Sequence, residues 1–334
     1  VKAERPDTLV LDAGDALEKG DMVSFVTEGR VMYEAMGRAG YDAVAIGNHD
    51  YHLGDERLRE YAELAGFSFL CINWLDADGA PRFAPSRIFD ADGVKVGVIG
   101  ATILKTKDML DVPETAKRIA AEAERLAPET HLIVVTAHLG SKECAEIARQ
   151  APGVSVFFSG HTHEVIQTPV VAPETGALIV QAGHYGQHIG HLELAIDLAA
   201  KKVTSHEYRL VRLLHEEHHP DEEMIAWLRR EEKKHCPEAL EVLGDAVRPV
   251  SRNDTAWLVA AALLHRTEAD VALCHPSRVL RTGIPRGEID ANAIFRAGGN
   301  RSQDWAMAEM TGAELAGYIG YMVTTNKGQP FWAG

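Results

Sequence analysis

The sequence predicts a layered α/β fold followed by a smaller second α/β unit. Short apolar runs alternate with segments of helical periodicity as far as Asp197, the pattern of strands and helices stacked in layers. A charged helical stretch then interrupts the alternation at residues 216–243, and an α/β pattern resumes beyond it. Several of the apolar runs end in glycine beside Asp, Asn or His, a polar finish that strand packing does not require.

In chain order, residues 8–15 (TLVLDAGD) read as a buried strand ending in a turn. Residues 29–40 (GRVMYEAMGRAG) space their apolar side chains as a helix does and close on glycine, a helix stop. A strand at 41–50 (YDAVAIGNHD) and a helix at 55–66 (DERLREYAELAG) repeat the unit. Further strands are expected at 67–73, 94–101, 131–140 and 154–163, with a strong helix at 114–127 (ETAKRIAAEAERLA). GALIVQAG and GHLELAID read as consecutive strands adding antiparallel sheet. The resulting division is a first domain at 1–215, a helical linker at 216–243 and a second domain at 244–334.

The chain has 334 residues, enough for two domains with cores of their own, and its 46% hydrophobic and 25% charged content is that of a globular protein. Forty-nine acidic against 34 basic residues leave a net charge of −15, which excludes a sequence-independent grip on a nucleic acid polymer or anionic lipid. Cys71, Cys144, Cys236 and Cys274 are scattered and read as small apolar fillers rather than a disulfide framework or zinc ribbon. No apolar run is long enough for a membrane span. The opening VKAERPD has neither Met nor a signal-peptide core, and the natural start is expected to lie upstream.

Four ligand-rich clusters stand where apolar runs end: DAGDA with Asp15, GNHD with Asn48, His49 and Asp50, TAHLG with His138, and SGHTH with His161 and His163. Singly, a Gly-Asp turn or a strand-end histidine is ordinary capping. In an α/β sheet, however, the carboxyl ends of strands open onto one crevice, so all four turns are expected to converge. A carboxylate, an amide oxygen and imidazoles, without thiolates, suit divalent Mn, Zn, Fe or Co. His-x-His on an extended segment would direct both rings to one side.

In the stretches LVLDAGDAL, GYDAVAIGNHDYHLG, VVTAHLG, SGHTHEV and IVQAGHYGQHIGHLEL the chain resembles the calcineurin-like metallophosphoesterases, and within them the 5'-nucleotidase branch. IPRGEIDANAIFRAGGN and MAEMTGAEL are similar to that branch's substrate domain. The resemblance implies an α-β-β-α sandwich holding two divalent metal ions, which clamp a phosphoryl group and acidify a bridging water that attacks in line. By motif, Asp15 would bridge the ions, Asn48, His138 and His161 would complete one site, and His163 would bind the other ion. His49 would donate a proton to the leaving oxygen, oriented by Asp50 or Glu18, because His52 stands where the branch has an Asp. The branch's opening Asp-x-His would lie upstream of Val1.

In the second domain HPSRVLR keeps only Arg281 of the branch's Asn-x-Gly-Gly-Ile-Arg loop. IFRAGGN puts Ala297 where nucleotidases set a base-stacking Phe, with Phe295 two residues earlier. Loss of that platform removes about 1–3 kcal/mol of base affinity. Arg281, Phe295 and Asn300 are the candidate substrate contacts; Arg278 and Arg286 read as surface cations, and His184, His188 and His191 as incidental or supporting. The expected activity is hydrolysis of phosphate monoesters, 5'-nucleotides or related small organophosphates. The alternatives are a diesterase for cyclic nucleotides or nucleotide-sugars, and a binding protein that keeps the fold without catalysis. Relatives of this kind in bacteria are exported, which implies a periplasmic or extracellular location.

Overall fold

Strands buried on both faces need cover on both, and a pair of facing sheets with helices outside supplies it. The computed structural model describes residues 5, 7–17, 20–103, 108–213, 218–299, 305–325 and 332–333. β1 (Leu11–Asp12), β2 (Ala43–Ala45) and β3 (Ser68–Leu70) form a parallel sheet in that order. β4 (Ser86–Ala91), β5 (Val94–Thr102), β6 (Leu132–His138), β7 (Val156–Ser159), β8 (Val170–Val171) and β9 (Leu178–Val180) form the larger sheet, ordered β4-β5-β6-β7-β9-β8. β5, β6, β7 and β9 run parallel, and the register from Val96↔Leu132 to Thr102↔His138 carries His138 to a carboxyl end.

Three apolar clusters define the layers. Val44, Phe69, Tyr33, Met36, Leu58 and Tyr61 join the small sheet to α2 (Arg30–Arg38) and α3 (Asp55–Ala65). Ala43, Leu70, Val98, Val134, Val156 and Val180 fill the space between the sheets. Ile99, Val135, Phe157, Ile119 and Ile147 join the large sheet to α4 (Val112–Leu126) and α5 (Ser141–Gln150). The order is α-β-β-α. Local chemistry sets the helix ends: the Asp111 carboxylate accepts from the Glu114 amide at 2.9 Å to start α4, and Gly66, at φ 75°, stops α3. A hairpin of β10 (His188–Asp197) and β11 (Lys202–Arg212) turns Leu192, Leu194, Ile196 and Val203 onto the interior cluster.

The sequence differs from its structure in instructive places. β1 and β2 are shorter than the apolar runs that hold them, because the polar residues after each bend away into loops. β9 and β10 are not partners: β9 pairs with β7 and β8, and β10 pairs with β11. Gly183, Tyr185 and Gly186 all take positive φ between them, and that turn carries the chain out of one sheet. β4 goes unread in the sequence, although Asp92-Gly93, both at positive φ, is a hairpin signal.

The chain divides into two compact units, Val1–Glu18 with Met32–Ile225, and Lys19–Val31 with Ala226–Gly334. The division falls inside α6 (Glu222–His235), within the stretch read as a linker. The second unit contains β12 (Val242–Ala246) paired with β14 (Gly287–Asp290), β13 (Leu273–Cys274) paired with β15 (Trp332–Ala333), α7 (Arg252–Arg266), α8 (Pro276–Val279), α9 (Ala291–Ile294) and α10 (Gly312–Thr325). It also takes the early segment carrying α1 (Met22–Val26): the Met22 amide donates to Asn292 Oδ1 at 2.9 Å, and Arg30 meets His235 at 2.8 Å. Sequence alone assigns that segment to the first domain. Among the described residues no helix is long and apolar enough to cross a membrane.

At Gly100 the two sheets approach closely. The Ile72 amide donates to the Gly100 carbonyl at 2.9 Å, and a Cβ built on that glycine would lie 2.2 Å from the Leu70 carbonyl oxygen. Backbone cannot swing aside as a side chain can. Gly100→Ala is expected to cost about 1–3 kcal/mol, read as a lower urea midpoint at unchanged slope.

Candidate metal centre

The polar strand ends do converge. After β1 the chain turns through Gly14 and Asp15, at φ 89° and 60°; after β7 it turns through Gly160, His161 and His163, the histidines at 64° and 60°. The two histidines are therefore not on extended backbone as the spacing suggested: the strand stops at Ser159, and a tight turn redirects each ring. Asp15 Oδ2 lies 3.0 Å from His138 Nε2, Asn48 Oδ1 lies 3.1 Å from the same nitrogen, and His161 Nδ1 lies 3.2 Å from it. Ligand atoms of Asp15, His138 and His161 all fall within 4.8 Å of one another.

Four electron-rich atoms crowded on one point repel unless a proton or cation sits among them. Donors around a tetrahedral ion at about 2.1 Å stand about 3.4 Å apart, close to the spacings seen here. The donor set thus fits a divalent ion. His138 is also prepared for that task, since its Nδ1 lies 2.9 Å from the Ala13 carbonyl oxygen. Donation there fixes the tautomer and aims the Nε2 lone pair at the cluster. Burial disfavours the charged ring of His138, yet the Asp15 carboxylate outweighs it and raises the histidine's pKa. Burial would likewise raise Asp15, but the His138 contact overcomes it and holds that carboxyl low. His161 is lowered by burial and by His138.

His49 stands beside this cluster. Its amide donates to Asp15 Oδ1 at 2.8 Å, its Nε2 is 4.0 Å from Asp15 Oδ2, and its side chain is 45% exposed. Asp50 has partners other than the ring it was expected to orient. One carboxylate oxygen accepts from the amides of Asp15 and Gly47, each at 2.8 Å, and the other from Leu17 at 3.1 Å, with the Tyr33 hydroxyl as a further donor. The reason is burial: at 1% exposure the carboxylate must collect donors, and the loop amides are the donors at hand. Glu18 lies outside the described residues. His52 is exposed and meets Tyr51. His163 does not share the three-residue cluster and stacks instead on His184, rings 4.9 Å apart at 19°.

Residues 1–165, which contain every one of these side chains save His184, match the model of the family described as calcineurin-like phosphoesterase. The chain carries a calcineurin-like phosphoesterase domain. The metallophosphoesterase YunD of Bacillus subtilis is 26% identical to it over 312 residues, covering 88% of this chain and 65% of its own length. The 5'-nucleotidase of Vibrio cholerae is 25% identical, covering 97% of this chain and 69% of itself. Among solved structures, the 5'-nucleotidase precursor of Thermus thermophilus superposes with a TM-score of 0.66 at 25% identity, over 87% of this chain and 64% of that one. The chain thus spans about two thirds of the length of these three proteins.

In the second unit, the Arg281 amide donates to the Ala297 carbonyl at 2.8 Å, and the half-buried Phe295 packs on Phe25 with centroids 5.4 Å apart. Asn300 lies outside the described residues. Within the phosphoesterase domain, one supporting residue escaped the sequence reading. Gln181, 3% exposed at the end of β9, donates to Ser159 Oγ and the Gly160 carbonyl and accepts from the Glu164 amide, bracing the turn that bears His161 and His163. Its only sequence signal is a lone amide closing an apolar run. Replacing Gln181 by Leu strands those partners and is expected to cost about 1–3 kcal/mol in a denaturant titration.

Gly47 permits the Asp15 carboxylate its position: a Cβ there would lie 2.1 Å from Asp15 Oδ1. Gly47→Ala is expected to weaken Mn²⁺ binding by about ten- to a hundredfold in calorimetric titration, as loss of a ligand's support does elsewhere.

Proposed function

We propose that the protein hydrolyses phosphate monoesters, 5'-nucleotides or related small organophosphates, with two divalent ions. The supporting observation is the meeting of Asp15, Asn48 and His161 donor atoms at 3.0–3.2 Å from His138 Nε2, with a half-exposed imidazole beside them. Asp15, Asn48, His138 and His161 would hold one ion, and Asp15 with His163 would contribute to the second. Ions bound there supply Lewis acidity, neutralising phosphoryl charge and lowering the pKa of water.

The chain's own residues do the rest. His49 is fastened through its amide to Asp15, so its ring stays near the reacting phosphoryl while remaining accessible to a leaving oxygen. Imidazole is the side chain best suited to release a proton near neutral pH, which makes His49 the proton donor. Asp50 serves by holding the Asp15 and Gly47 amides, and so positions both the ligand and the donor. Arg281, Phe295 and Asn300 are the proposed substrate contacts of the second unit. Export to the periplasm or cell exterior belongs to the same proposal, on family resemblance alone.

The test is an assay with 5'-AMP and p-nitrophenyl phosphate in added Mn²⁺, with and without chelator, beside bis(p-nitrophenyl) phosphate. Chelation is expected to abolish turnover, and His49→Ala to lower kcat by about 10²–10⁴-fold while bound metal, measured by plasma mass spectrometry, stays constant. Preference for the diester would favour the phosphodiesterase alternative. Inactivity with Mn, Zn, Fe and Co alike would sink the enzymatic reading in favour of a binding protein.

A further inference from the structure

Tyr185 is 69% exposed, a large aromatic ring left in solvent. It also holds φ 55°, a left-handed conformation that is strained for a residue with a Cβ. Gly183 and Gly186 flank it at φ 81° and 63°, so the turn already has residues that adopt this geometry without strain. Strain at a non-glycine residue persists where the surroundings impose it, and such positions gather at ligand sites.

The surroundings here are aromatic. The Tyr185 ring meets His184 edge-on, centroids 4.5 Å apart at 80°, and meets His163 at 5.9 Å and 60°. His184 in turn lies flat against His163. The loop is tied to the metal-centre turn by the Gly183 amide, which donates to the Glu164 carbonyl at 2.9 Å, and closed by the Gln187 amide on the His184 carbonyl. Two rings thus back the tyrosine, and its remaining surface faces solvent directly beside His163, one of the histidines of the proposed centre. At the position where nucleotidases set a base-stacking Phe, the second unit has Ala297, which is 2% exposed.

We infer that Tyr185 is a stacking platform for the leaving group of the substrate, and that it favours phosphate esters bearing a planar aromatic ring, such as a nucleobase, over esters of a bare sugar. The inference rests on the phosphoesterase reading for its location beside the reacting phosphate. A flat ring on an exposed tyrosine face buries apolar surface on both partners and tolerates any base, since every base has a π-face. Preference would then be for aromatic character, with little choice among bases.

Binding separates this from catalysis. In a His49→Ala background, which suppresses turnover, adenosine 5'-monophosphate and ribose 5-phosphate are titrated calorimetrically in Mn²⁺. Tyr185→Ala is expected to weaken the nucleotide about five- to a hundredfold and ribose 5-phosphate less than twofold, with Tyr185→Phe retaining both affinities. Tyr185→Gly, which relieves the backbone, is expected to lose the nucleotide equally without lowering the thermal midpoint. Equal weakening of both ligands would overturn the platform in favour of support for His163, and no weakening of either would overturn it outright. Tyr185-dependent binding in a protein that hydrolyses nothing would uphold the platform and reject the phosphoesterase. Hydrolysis of both esters at one kcat/KM, unmoved by Tyr185→Ala, would do the reverse.

Discussion

The Asp50 carboxylate ties together two loops that leave different strands, and the metal centre depends on that tie. It accepts from the Asp15 amide after β1 and from the Gly47 amide after β2. Burial pushes its pKa up, while the Gly47 and Leu17 amides and the Tyr33 hydroxyl pull against that shift. A buried carboxylate with these donors is rigid because each bond lost would leave charge unsatisfied in a dry site. The Asp15 side chain is aimed as a consequence: its amide is pinned by Asp50, and its Oδ1 receives the His49 amide.

Backbone strain follows the same geography. Seven non-glycine residues with positive φ are found among the described residues, and Asp15, His161, His163 and Tyr185 are four of them. A majority within one neighbourhood is more than turn-making requires, since several of the remaining positive-φ positions are tips of ordinary surface turns. The apolar layers hold this strain, because Val98, Val135 and Val156 fix the strands from which the loops project and show almost no exposure. Packing energy from the sandwich thus maintains conformations that the loops would not adopt alone.

Much of the fold was legible because its period was legible. Apolar runs of strand length and amphipathic helices give an α/β sandwich whatever the details, and α3 and α4 fall within a residue or two of their sequence signals. What stayed hidden needed a partner far along the chain. GALIVQAG and GHLELAID look like neighbours, yet the turn at 183–186 sends them to different sheets. The segment around α1 is short, and nothing local says that Asn292 will receive its first amide. Gln181 reads as an ordinary polar residue, and Asp50 as a partner for the His49 ring, until burial makes their actual hydrogen bonds obligatory.

The sequence by itself determined which donors are available: one carboxylate, one amide oxygen and three imidazoles, each placed at the end of an apolar run. Strand ends are local features, and local spacing encodes them. Tertiary structure alone decided which atoms face one another, since Asn48 and His138 are separated by 90 residues, and His138 and the Ala13 carbonyl that sets its tautomer by 125. It also decided that Asp50 braces loops and that Tyr185 stands out in solvent against two histidine rings. Those roles come from burial and close approach, which exist only once the layers have packed.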